Sequence, residues 1–179
     1  MKKIAMLYES VDGHTATVVE RMGAIFKGAG IEVVPVRCKA NSIPALKEAD
    51  GIVIGGSIHA GRHNNKLIRF VTAHRDLIGA KPNAFFLVCL TAKFDSPEKA
   101  AEVVGYLKDF ETRTGLIPGH SQAFAGALLY TKYNFIMRAL MKSITKKEGG
   151  DVDTSRDYVY TDWQAVEIFA RSFMNRDAA

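Results

Sequence analysis

Short apolar runs alternate along the chain with longer stretches in which apolar residues return every three or four positions. Ile4-Ala5-Met6-Leu7-Tyr8, Val33-Val34-Pro35-Val36, Ile52-Val53-Ile54, Phe85-Phe86-Leu87-Val88-Cys89 and the run from Ala123 to Leu128 read as five strands. Three of them are almost continuous hydrophobic runs, as strands become when helices cover both faces of a sheet. Pro35 lacks the N–H that a central ladder needs, so its strand is expected at an edge.

The stretches between carry helical periodicity. Residues 14–29 place Val18, Met22, Ile25 and Phe26 on one face, and Gly28-Ala29-Gly30 ends the run. Residues 64–79 carry Leu67, Ile68, Val71 and Ile78 and close on Gly79. Ser96-Pro97 has the form of an N-cap followed by proline at the first helical position, with Ala100, Val103, Val104, Leu107 and Phe110 after it. Thr161-Asp162-Trp163-Gln164 has capping-box spacing and opens a last helix that buries Val166, Phe169, Ala170 and Phe173. The segment from Ile43 to Asp50 has room for one or two turns. This β-α-β-α series predicts an α/β fold, a three-layer sandwich around a parallel sheet, with few topologies left once crossovers are right-handed.

One segment breaks the alternation. About thirty residues (130–160) separate the fifth strand from the last helix, far more than an ordinary connection needs. Inside this insert the spacing predicts an amphipathic helix over Lys132 to Lys147. Tyr133, Ile136, Met137, Leu140, Met141 and Ile144 fall on one side and Arg138, Lys142 and Lys146 on the other; Phe135 lies among the polar positions.

Charge sharpens that picture. The chain of 179 residues carries a formal net charge of +5, and residues 130–147 hold five basic residues (Lys132, Arg138, Lys142, Lys146, Lys147) and no acid. Without those five, the 24 basic residues come level with the 19 acidic ones. The whole excess therefore sits in the insert, where a focused field recruits anionic partners. Length and a hydrophobic content of 47% imply one domain over 1–179 with a core that needs no disulfide or metal. Cys38 and Cys89 fall inside strands, as small buried thiols of a reducing compartment do, and no C-x-x-C or Cys/His cluster suggests a metal. The apolar run after Lys2-Lys3 stops at Glu9, too short for a secretory signal, and "AFFLVCL" is too short to span a bilayer. A cytoplasmic location follows as the expectation.

Ligands of open α/β sheets bind beyond the carboxyl ends of strands where the strand order reverses. Segments 10–15, 57–63 and 90–95 converge at that edge. The first, "SVDGHT", offers the hydroxyls of Ser10 and Thr15, a glycine that lets the backbone approach, and the N–H groups of a helix start. On its own the knot fits a phosphate cradle and fits equally a turn at Asp12-Gly13 with an ordinary cap. No G-x-x-x-x-G-K-[ST] or G-x-G-x-x-G is present, which disfavours P-loop and dinucleotide sites. A receiver domain is also disfavoured, because the third strand ends in Gly55-Gly56-Ser57 where an acceptor aspartate belongs.

Ser-x-x-Gly-x-Thr after the first strand, Gly55-Gly56-Ser57-Ile58 after the third and the five-strand alternation together resemble flavodoxin. "SIHAGRHN", "TAKFDSPEK" and above all "AGALLYTKYNFIMRALMKSITKKEGGDVDTSRDYVYTDW" narrow the resemblance to the flavodoxin-type, menaquinone-dependent protoporphyrinogen oxidases. The likeness runs over almost the full length and is most specific in residues 125–163, which ordinary flavodoxins do not share.

The resemblance implies a flavodoxin-like sheet of strand order 2-1-3-4-5, with the basic amphipathic helix inserted between the fifth strand and the last helix. It implies FMN, its phosphate on Ser10, Asp12, Gly13, His14 and Thr15. The ring would lie between Ser57, Ile58, His59, Ala60 and Gly61 on one side and Leu90, Thr91, Ala92 and Lys93 on the other. It implies oxidation of a porphyrinogen substrate in haem biosynthesis, with the electrons passed to menaquinone or another quinone. No acid or base stands out as a catalytic group. The peptide at Gly61 is free to reorient as the flavin is reduced. Ala60 departs from the large aromatic of the related enzymes, which leaves His59 or Arg62 to cover the ring.

Each residue also has a plainer role. His14 reads as a backbone contributor rather than a base, and His59 either touches the flavin or is solvated. His63, His74 and His120 read as surface or helix-edge residues, and Cys89 as a core thiol. Tyr130 and Tyr133 either line a porphyrin-sized groove or pack the insert. The basic helix has three accounts: its apolar face docks on the domain, it makes peripheral contact through 132–147 with the inner face of the cytoplasmic membrane, or it steers porphyrin propionates. Five basic residues without interleaved aromatics make no nucleic-acid module. Two other readings stay open, a one-electron carrier that docks on partner proteins and a non-enzymatic flavin-binding or quinone-sensing protein. The basic insert argues against the carrier.

Overall fold

The computed structural model describes residues 1–147 and 149–175. Glu148, inside the 130–160 insert, and residues 176–179, at the end of the 1–179 span, lie outside the described residues. The first half of the chain forms β1 (Lys3–Tyr8), α1 (His14–Gly28), β2 (Glu32–Arg37), α2 (Ile43–Glu48), β3 (Gly51–His59), β4 (Arg62–His63), α3 (Asn65–Ala73) and α4 (Arg75–Gly79). The second forms β5 (Asn83–Cys89), α5 (Pro97–Thr114), β6 (Ser121–Ala125), β7 (Ala127–Leu128), α6 (Phe135–Lys147), β8 (Tyr158–Val159) and α7 (Trp163–Asn175).

Five strands pair in parallel in the order β2-β1-β3-β5-β6, the flavodoxin-like 2-1-3-4-5 order once the anticipated runs are counted. β2, with Pro35, lies at the edge. Period-two alternation sorts the strand side chains into two apolar layers. Leu7, Ile54, Phe85 and Leu87 face Leu46, Leu67, Val71 and Phe110 on one side of the sheet. Met6, Val53, Phe86 and Val88 face Val18, Met22, Phe26, Val166, Phe169 and Phe173 of α1 and α7 on the other. Helices thus cover both faces, which makes the three-layer sandwich. Gly55 and Gly56 have no side chains because β5 leaves them no space: a methyl on Gly55 would overlap the Phe86 ring, and one on Gly56 would meet Leu67 and Phe85. Cys38 and Cys89 are buried, and that burial pushes their thiols up to about 12 and about 11, so neither is reactive near neutral pH.

Several boundaries differ from the sequence expectation. The third strand runs on to His59 and folds back as a hairpin with β4. The stretch 64–79 is two helices rather than one. His74 (φ −123°) leaves the helical region and both ends α3 and begins α4. The last anticipated strand breaks at Gly126, after which β7 leaves the parallel sheet to pair antiparallel with β8 (Ala127↔Val159, Leu128↔Tyr158). Asp162, not Thr161, caps α7: its Oδ1 accepts from the backbone N–H of Gln164 (2.8 Å) and Ala165 (3.1 Å).

The insert departs most. Tyr130–Lys132 form a 3₁₀ turn, and α6 starts only at Phe135 because Asn134 Oδ1 caps it, accepting from Met137 N at 2.9 Å. Arg138 holds the helix to that turn, its Nε donating to Tyr130 O (3.0 Å) and Nη2 to Tyr133 O (3.1 Å). Phe135, Ile136, Met137, Leu140 and Ile144 are all exposed, so the apolar side does not dock on the sheet layers. Tyr130 is fully buried and its hydroxyl donates to Asp151 O (2.8 Å), which makes it a packing residue of the insert rather than a groove lining.

Candidate functional site

From β1 the chain crosses to β2 on one side, and from β3 it proceeds through β5 to β6 on the other. The order therefore reverses between β1 and β3, and the loops at their carboxyl ends flank the crevice that such a reversal opens. Residues 10–13 follow β1, the β3–β4 turn follows β3, and residues 90–93 follow β5.

In the first loop, Gly13 N donates to Ser10 Oγ (3.1 Å), folding the loop back on itself. Gly13 is left-handed (φ 95°, ψ −20°), which any side chain would resist, and no side chain caps the start of α1. The free N–H groups of that first turn are a ready anion site. His14 is half-buried beneath it. Thr161 Oγ1 donates its proton to Ala125 O (2.6 Å), so His14 Nε2 is the donor in the 2.6 Å bond to Thr161. Burial first, and the Lys132 ammonium second, hold His14 below the ordinary histidine value. It is neutral near pH 7 and ties the loop to the end of the insert.

Directly before this loop stands Glu9, whose side chain is only 5% exposed. It accepts from Arg37 Nη2 (2.6 Å), Lys66 Nζ (2.8 Å) and Cys38 N (3.1 Å). Burial alone would raise this carboxyl, but those three donors together hold it below the usual carboxylate range. Arg37 Nη2 also donates to Ser10 O (3.4 Å), so Glu9 fixes a guanidinium against the loop.

The second loop is a two-residue turn. Ala60 (φ 49°) and Gly61 (φ 73°) are both left-handed between the pairs Ile58↔His63 and His59↔Arg62. His59 Nδ1 lies 3.7 Å from Asp12 Oδ2, bringing the first two loops together. His63, expected at the surface or a helix edge, is buried; its Nε2 bonds Tyr106 O (2.8 Å) and burial lowers its pKa. Ser57 Oγ is buried with no hydrogen-bond partner among the described residues, at the carboxyl end of β3.

The third loop, Leu90–Lys93, is one 3₁₀ turn. Thr91 Oγ1 donates to Glu102 Oε1 (3.4 Å), and the same oxygen accepts from Tyr106 Oη (2.5 Å), which stands beside Gly61. Burial and the Glu102 carboxylate push the Tyr106 phenol up to about 12, so it stays a donor. One helix, α5, thereby braces both the second and third loops. Lys93 Nζ bonds Asp151 Oδ2 (3.0 Å) and sits 3.8 Å over the Tyr160 ring, tying the third loop to the insert. A cleft of about 340 Å³ lies beside it, between Lys93, Ala125, Tyr160 and Asp162.

The fourteen residues named from the sequence thus lie on the three loops or on the ends of the elements that flank them, His14 and Thr15 at the start of α1 and Ser57, Ile58 and His59 at the end of β3. Ile58 and Ala92 are half-buried and pack their side chains against the core. Sequence reasoning missed Glu9, Lys66, Glu102, Tyr106, Lys132 and Thr161 as members of the site. No local signal marks them, because each acts on a segment other than its own, from eleven residues away for Glu102 and Thr91 to 147 for Thr161 and His14.

Residues 5–155 match the family described as Flavodoxin domain. A Leishmania major protein named protoporphyrinogen IX dehydrogenase [quinone] is 35% identical over 177 residues, 96% of this chain and 74% of that protein. An Escherichia coli K12 protein of the same name is 32% identical over 170 residues, 94% of this chain and 93% of its own. Among solved structures, the Streptococcus pneumonia TIGR4 flavodoxin superposes over 97% of this chain and 99% of its own, with TM-score 0.58 at 14% identity. Flavodoxin 1 from Bacillus cereus superposes over 97% of each chain, with TM-score 0.56 at 16% identity. With the sheet order, the reversal between β1 and β3 and these matches in agreement, the chain belongs to the flavodoxin-domain family.

Proposed function

We propose that the chain is an FMN-dependent oxidoreductase that oxidises protoporphyrinogen IX to protoporphyrin IX in haem biosynthesis and passes the electrons to a quinone. The observation that carries this reading is the wiring of the insert into the site: Lys93–Asp151 joins it to the third loop, and His14 bonds Thr161, the residue at which the insert ends, beside the first. The two relatives bearing the activity's name align across that insert as well as across the sheet.

The residues present fit FMN. Ser10, Asp12, Gly13, His14 and Thr15 would hold the phosphate at the uncapped start of α1. Ser57, Ile58, His59, Ala60 and Gly61 would lie against one side of the ring, and Leu90, Thr91, Ala92 and Lys93 against the other. The orphaned Ser57 Oγ suits a polar ligand atom, since a buried hydroxyl without a partner is costly. Bound there, FMN supplies the two-electron redox chemistry, while the protein supplies orientation and excludes water. Neutral His14 donates one fixed hydrogen bond and no charge. The left-handed Gly61 lets its peptide face either way, and the small Ala60 leaves the ring face to His59.

The quinone is menaquinone or a relative of it, reached at an anionic membrane surface. No helix among the described residues is long and apolar enough to cross a membrane. The exposed Ile136, Leu140 and Ile144 beside Lys142 and Lys146 instead form the apolar and cationic surface that an interfacial helix presents to lipid.

Purified protein loaded with FMN, given protoporphyrinogen IX and a soluble menaquinone analogue, should develop porphyrin fluorescence. Bound FMN without fluorescence would leave a one-electron carrier, and failure to take up FMN would remove both readings. Lys142→Glu with Lys146→Glu should abolish co-sedimentation with phosphatidylglycerol vesicles; undiminished binding would refute the membrane contact.

A further inference from the structure

The proposed cofactor brings a phosphate of nearly two negative charges to a loop that carries an acid, Asp12, and a neutral histidine. Nothing on residues 10–15 balances that charge. Of the two cations that reach it from outside, Arg37 is already paired with Glu9, and the other stands over the loop's apex. Lys132 Nζ lies 3.5 Å from the position a Cβ on Gly13 would take, in the space that the glycine leaves open at the loop's apex. A second observation agrees: the field of that ammonium reaches His14 and, after burial, helps to hold its pKa down. On the same side, Asp12 acts in turn on Tyr133, whose phenol is raised by burial first and by that carboxylate next. The start of the insert therefore lies against the phosphate loop at two consecutive residues.

The backbone that presents Lys132 is held firmly. Lys132 N donates to Leu129 O (2.9 Å) and Tyr133 N to Tyr130 O (3.2 Å). Asp157 accepts from both Thr131 N (2.9 Å) and Thr131 Oγ1 (2.8 Å), and the fully buried Tyr130 anchors the turn below. Lys132 itself is exposed, and no ion pair among the described residues engages it. A lysine so held, beside a loop with open N–H groups, has its charge free for an incoming anion.

We infer that Lys132 is the charge partner of the flavin phosphate, reaching the loop from the insert; the inference rests on the FMN reading above. The role differs from that of Lys142 and Lys146, which lie farther along the insert in α6. It also makes the insert part of the cofactor site. A charge-assisted bond adds to the backbone donors and follows the phosphate, not the ring.

Titration of flavin-free protein with FMN and with riboflavin, which has the ring but no phosphate, tests this directly through flavin fluorescence. Lys132→Gln should weaken FMN binding about tenfold or more and leave riboflavin binding unchanged. Lys132→Arg should restore most of the loss, and Lys142→Gln should change neither affinity. In the flavin-free Lys132→Gln protein, the His14 ring should titrate at higher pH by NMR, a readout independent of any flavin. Unchanged FMN affinity in Lys132→Gln, or an equal loss for both flavins, would overturn the inference while leaving the FMN reading standing. Wild-type protein that binds neither flavin would overturn both.

Discussion

α6 and α7 have the same thirteen-residue length and similar two-faced patterns, yet they meet opposite fates. In α7, Val166, Phe169, Ala170 and Phe173 are all at most 1% exposed against the sheet. In α6, Ile136 is 64% exposed, Leu140 51% and Ile144 46%. Periodicity says that a helix has an apolar face; it does not say what covers that face. α7 starts at the Asp162 cap and packs beside α1 against the sheet, whereas α6 hangs from a turn fastened by Arg138 and Tyr130. The helix that stabilises the fold and the helix that meets something else cannot be told apart by their patterns alone.

Phe169→Ala should cost about 3–5 kcal/mol in urea unfolding, because it opens a cavity among Phe86, Phe124 and α7. Leu140→Ser in α6 should move stability by no more than about 0.5 kcal/mol, since its side chain is already in water. A loss in Leu140→Ser comparable to that in Phe169→Ala would erase the contrast. Within the sheet, Gly55→Ala should cost about 1–3 kcal/mol, as the added methyl must displace the fully buried Phe86 ring.

The junction of the two regions responds to pH. His14 and His63 are each held below the ordinary histidine value of about 6.5, chiefly by burial, so the unfolded chain binds protons that the folded chain refuses. Their contribution to stability is complete above that value and is lost as pH falls through the depressed folded values. Urea midpoints should decline below about pH 6.5, with a shallower slope in His14→Gln. A small effect lies at the site's rim. Ala60→Gly relieves a left-handed alanine and should raise thermal stability by about 0.5–1 kcal/mol, with the insert unaffected.

Much of the fold was legible because it rests on local rules. The apolar runs mark the five strands, Pro35 forces an edge, and the spacing of Val166, Phe169 and Phe173 marks the buried face of α7. The three loops were legible for the same reason, since each follows an apolar strand run at the sheet's carboxyl edge, although β3 carries its Gly55-Gly56-Ser57 inside the strand. What was not legible depends on contacts between distant segments. His74 interrupts a helix whose apolar spacing continues through it. Gly126 ends a strand because the chain must leave for the insert. Thr161 fits a cap by spacing, but Ala125 O and His14 claim its hydroxyl. Lys132 was one basic residue among five until the fold set it over Gly13.

The pairing of β7 with β8 has a consequence for how this chain can vary. Tyr160 N donates to Gly126 O at 3.0 Å, so the insert leaves and rejoins the framework through adjacent residues. Along the chain it is a side branch that opens and closes at one place, its inner side tied to the loops by Lys93–Asp151 and by Lys132, and the entropy of closing it grows only with the logarithm of its length. Such a branch can lengthen, shorten or change its outer surface without disturbing strand order or the seating of α7. A common framework can in this way keep its redox loops constant while the branch adapts to a new partner.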